Sequence, residues 1–131
     1  MKRVMAVLAV AGMIVLAVAV NAADKVTKPA AAAATIKGEL VDLMCYVDHG
    51  ARGEAHKSCA MQCVSNGAPI GLLTDAGKLY LLTPTHGSAD PFNKARQMMA
   101  AMVEVTGVVA ERAGMSAIGV TDVKVAATAA K

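Results

Sequence analysis

All three cysteines and two of the three histidines in this chain fall between positions 45 and 63, and that stretch holds the residues best suited to chemistry. His56, Cys59 and Cys63 stand at i, i+3 and i+7. If the segment is helical, a rotation of about 100° per residue brings the three within roughly 60° of one another on one face. Ala60 adds only a methyl group to that face, so a second segment carrying Cys45 can approach it closely. Three thiolates and one imidazole are a closed tetrahedral set for zinc, and the soft sulfurs suit Cu(I) equally well. The expected metal ligands are therefore Cys45, His56, Cys59 and Cys63. His49, on a glycine-bounded loop four residues after Cys45, is a rival imidazole. Asp42 and Asp48 are able to accept the second ring N–H of a ligating histidine, although each reads first as a solvated strand-end or turn residue. Met44 and Met61 read as core filling rather than copper ligands, and His86 as a loop residue.

The elements that must position these residues follow from periodicity and turn chemistry. Residues 35–46 mix alternation with β-branched side chains and predict a strand that ends on Cys45, with Gly38 as a bulge or bend. A loop with Gly50 and Gly53 follows. Residues 54–65 lack Gly and Pro and stop at Asn66-Gly67, which predicts the cysteine-bearing helix. Residues 69–74 and 78–83 flank Asp75-Ala76-Gly77 as a hairpin. Asp90 and Pro91 supply an N-cap and a first-turn proline for a helix over residues 90–100, and residues 102–111 and 115–125 read as the last two strands. The fold class is mainly β: a five-stranded OB-like barrel with the Cys/His-bearing helix inserted between strands 1 and 2 and a second helix between strands 3 and 4. An open five-stranded sheet packed by two helices has the same element order.

Residues 1–22 read as a secretory signal peptide: Lys2 and Arg3, an uncharged run over residues 4–20, and small residues before Asp24 and Lys25. An uncleaved N-terminal anchor is the competing reading. No cysteine lies near the end of the run to accept a lipid. Residues 23–34 read as an alanine-rich disordered linker, 35–125 as the folded domain and 126–131 as a disordered tail. The expected location is periplasmic or secreted, with no membrane contact after cleavage. Loss of Lys2 and Arg3 lowers the formal charge from +3 to +1. With two tyrosines, one phenylalanine and no tryptophan, the domain lacks both the basic footprint and the stacking platforms that nucleic acid requires.

At the level of whole motifs the chain resembles a group of small exported bacterial OB-like proteins of unassigned function. The shared pattern falls on Gly38, Asp42, Cys45, His49 or His56, Cys59, Cys63, Tyr80 and the strand from Val103 to Gly107. The resemblance implies an exported domain with a cysteine cluster and supplies no substrate. Two outcomes for the cluster stay open. It binds a metal ion, zinc or Cu(I), in a structural or carrying role, or it holds none and forms a disulfide from Cys45 to Cys59 or Cys63, stabilising the domain by about 2–4 kcal/mol or exchanging with other thiols. Outside the cysteine cluster no nucleophile, base and acid stand together, which points away from an enzyme.

Overall fold

The computed structural model describes residues 32–127. The proposed signal segment and residues 23–31 of the proposed linker lie outside that range, as do residues 128–131.

Five strands close into a barrel. They are β1 (Ala32–Asp42), β2 (Ile70–Leu73), β3 (Leu79–Pro84), β4 (Met102–Arg112) and β5 (Met115–Val125), in the order β1-β2-β3-β5-β4 with β4 returning to β1. All pairs are antiparallel except β3 with β5. Closure leaves no free edge, which a sheet of short strands otherwise exposes. Inward positions alternate along the long strands: Val103 and Val105 on β4 and Ile118 and Val120 on β5 are fully buried. They meet Leu40, Ile70, Leu72 and Leu82 in one apolar core. At the bulge between Thr106 and Gly107 the backbones come so close that a Cβ on Gly107 would strike the Gly119 carbonyl and Ile118.

Three helices complete the described residues: α1 (Leu43–His49), α2 (Lys57–Ser65), entered through a single 3₁₀ turn at Glu54–His56, and α3 (Asp90–Arg96). α3 packs on β3 and β5 and, with the turn after it, buries Ala95 and Met99 in the core. α2 lies on β1 and contributes Ala60 and Val64 to the same core. Arg96 of α3 donates to the Val64 carbonyl at 2.6 Å, which fixes the C-terminal end of α2. Everything between β1 and β2 is one insertion whose ends meet: Asp42 is the ladder partner of Ile70, and the Leu43 N–H donates to Pro69 O at 2.9 Å.

The barrel and both inserted helices agree with expectation, while four local expectations are corrected. The first strand does not run to residue 46. It stops at Asp42, and Leu43–His49 forms a helix, so Cys45 is helical. At its other end β1 reaches back to Ala32, and Ala32–Ala34, assigned above to the linker, pair with Val109, Val108 and Gly107. α3 ends at Arg96 rather than near residue 100, and its N-cap position is Ala89, so Asp90 sits in the first turn instead of capping it. Ala126, assigned to the tail, is buried and donates to Met102 O at 2.9 Å.

Candidate metal centre

The site is built from the two ends of the insertion. Asp42, the last residue of β1, has extended backbone and caps α1: its Oδ1 accepts from the Cys45 N–H at 2.8 Å. Gly50, with φ 71°, ends the helix in the left-handed conformation and returns its N–H to the carbonyls of Cys45 and Tyr46. A helix of seven residues held at both ends thus turns Cys45 inward, where only 8% of it is exposed. The loop to α2 is tied down by the Gly53 N–H, which donates to the Glu39 carboxylate. On α2, burial of Ala60 and Val64 against the barrel decides which face points inward; Cys63, half-buried, flanks that face, and Cys59 lies further round on the exposed side.

Cys63 lies between the other two sulfurs, 3.8 Å from Cys45 Sγ and 4.0 Å from Cys59 Sγ. All three sulfurs fall within 4.8 Å of one another. For metal–sulfur bonds of 2.3 Å the edge of a tetrahedron is about 3.8 Å, so the two spacings to Cys63 match a shared ion within a few tenths of an ångström. A second group within the same limit joins Asp42, Cys45 and His56, and Cys45 belongs to both. His56 is the residue before α2; its Nε2 lies 3.1 Å from Asp42 Oδ2, and its side chain is 17% exposed. The four expected ligands therefore lie close together. The three thiols are free, and exposure grades from buried Cys45 through Cys63 to exposed Cys59.

Burial, more than any neighbour, pushes the Cys45 thiol up to about 12, helped by its hydrogen bonds with Cys63 and Asp42 and by the Asp42 charge. Burial also raises Cys63, against a lowering contribution from its hydrogen bond to Cys45. These two thiols are therefore protonated at neutral pH, the opposite of an activated redox nucleophile. A metal ion that binds them must displace their protons.

The rival imidazole is not at the site. His49 ends α1 with its Nδ1 3.1 Å from Asp48 on the solvent side, and it belongs to neither ligand group. His86 is exposed in the β3–α3 loop. Met44 and Met61, expected in the core, are exposed at 57% and 36%. Asp48 is solvated as expected, whereas Asp42 is fully buried and holds both a helix cap and the histidine. Its role was signalled in the sequence by its place three residues before Cys45, the spacing of a side-chain cap, with Gly50 in position to end the short helix. Among the described residues no buried side-chain nitrogen or oxygen lacks a partner.

No family model matches the chain, and no curated protein or solved structure matches it either.

Proposed function

We propose that this protein is an exported metal-binding domain that holds one zinc or Cu(I) ion through Cys45, Cys59, Cys63 and His56, in a structural or carrying role. The observation that carries the reading is the sulfur spacing of 3.8 and 4.0 Å, centred on Cys63. With all four positions supplied by the protein, none is left open for a substrate, which favours holding or carrying an ion over catalysis. Exposure of Cys59 supports exchange with a donor or acceptor, because one edge of the cluster faces solvent while Cys45 lies beneath it. Export rests on the N-terminal pattern, and the resemblance to small exported proteins with a cysteine cluster belongs to the same reading.

A disulfide between Cys45 and Cys63 is the second reading, favoured by the 3.8 Å approach of their sulfurs from two different helices. Elemental analysis of protein purified from its native compartment, combined with thiol counting, separates the two. One stoichiometric metal ion, lost on Cys59→Ser, is the expected result. Two oxidised thiols in a folded, metal-free chain would overturn it.

A further inference from the structure

Of the four groups assigned to the ion, His56 is the one whose ligating atom has two choices, and a buried carboxylate restricts them. Asp42 is fully buried, and its carboxylate oxygens accept hydrogen bonds. Its Oδ1 takes the backbone N–H of Cys45, and its Oδ2 faces His56 Nε2 at 3.1 Å. An Nε2–H donated to Oδ2 accounts for that contact. We infer that Asp42 is a positioning residue that fixes His56 as the Nε2–H tautomer and leaves Nδ1 as the nitrogen that ligates the ion. Carboxylates that accept the far N–H of a ligating histidine set its orientation in this way and make it a more basic ligand. The same Asp42 side chain starts α1 and so places Cys45. One buried carboxylate thereby orients a sulfur ligand through its backbone and an imidazole through its ring. The inference rests on the metal reading above.

Asp42→Asn separates the two tasks. Asn caps a helix as well as Asp, so α1 and Cys45 stay in place when the amide oxygen faces the Cys45 N–H. The amide NH₂ then faces Nε2, which becomes an acceptor, and the ring proton moves to Nδ1. Nitrogen-15 NMR of the metal-free protein, at a pH where imidazoles are neutral, reads the tautomer directly. The wild type is expected to show Nε2–H and Asp42→Asn to show Nδ1–H, with helix content unchanged. Zinc affinity, measured by competition with a chromophoric chelator, is expected to fall about 10–100-fold in Asp42→Asn. The same substitution in a His56→Ala background is expected to cause no further loss. Zinc uptake by a wild type whose His56 carries Nδ1–H would overturn this assignment alone, as would undiminished affinity in Asp42→Asn or a further loss in the His56→Ala background. A wild type that takes up no zinc would overturn the metal reading and the ligation with it.

Discussion

Removing the central sulfur is the most direct perturbation of the cluster. Cys63 lies 3.8 Å from Cys45 and 4.0 Å from Cys59, so Cys63→Ser takes away the one sulfur that approaches both others. Those spacings match the edge of a metal–thiolate tetrahedron, about 3.8 Å, and an ion that binds the native state alone adds its binding energy to folding stability. Zinc held at 100 times its dissociation constant stabilises the native state by about 2.7 kcal/mol. At about 4–8 °C per kcal/mol for a domain of this size, the wild type gains about 10–20 °C in Tm. Cys63→Ser is expected to lose most of that gain, whereas Glu104→Ala, at an exposed position on β4, keeps it. Differential scanning fluorimetry with and without zinc, under reducing conditions, measures both. A wild-type Tm that zinc leaves unchanged, or a Cys63→Ser variant with the full wild-type shift, would refute the reasoning.

Three further outcomes follow from the structure. Burial holds the Cys45 thiol at about 12, above the range it has in the unfolded chain, and raises Cys63 as well. The neutral thiols therefore contribute stability that is complete below the unfolded thiol pKa of about 8.5 and lost as pH rises toward 12. Urea melts of the reduced, metal-free protein are expected to show this alkaline decline, shallower in Cys45→Ala; equal slopes would count against it. Leu72→Ala empties a fully buried position on β2 and is expected to cost about 2–5 kcal/mol in chemical denaturation, and a loss of only about 0.5 kcal/mol, as at a surface site, would contradict the packing described. Gly107→Ala drives a methyl group into the Gly119 carbonyl and Ile118, with an expected loss of about 1–3 kcal/mol; wild-type stability would show that β4 and β5 are not so close there.

The barrel was legible because its strands announce themselves by alternation and by turn residues. Asp75, Ala76 and Gly77 mark the β2–β3 hairpin, and Val103, Val105, Ile118 and Val120 point inward at the period of two that the sequence shows. Helical spacing likewise showed that Cys59 and Cys63 stand one turn apart on α2, but His56, expected on the same helical face, lies in the 3₁₀ turn before it and turns to Asp42. What misled was the strand-like run through Leu40, Val41 and Leu43, which continues into Cys45 without a glycine or proline to stop it. The switch to helix comes from a side chain, since Asp42 satisfies the Cys45 N–H and so ends β1 where hydrophobic pattern alone would continue it. The early end of α3 left equally little trace, because Ala100 takes a positive φ of 63° without the glycine that usually signals it. Burial of Asp42 was hidden as well: a carboxylate earns an interior place only through partners, and its partner His56 lies fourteen residues away.

The joining of Asp42 to Ile70 as ladder neighbours brings both ends of the sulfur-bearing insertion to one place on the barrel, while Ala60, Val64 and the Arg96 hydrogen bond anchor its second half against β1 and α3. The β4–β5 ribbon carries none of the candidate ligands, but a shift of α2 would press on β1 directly and reach β5 through Arg96 and α3.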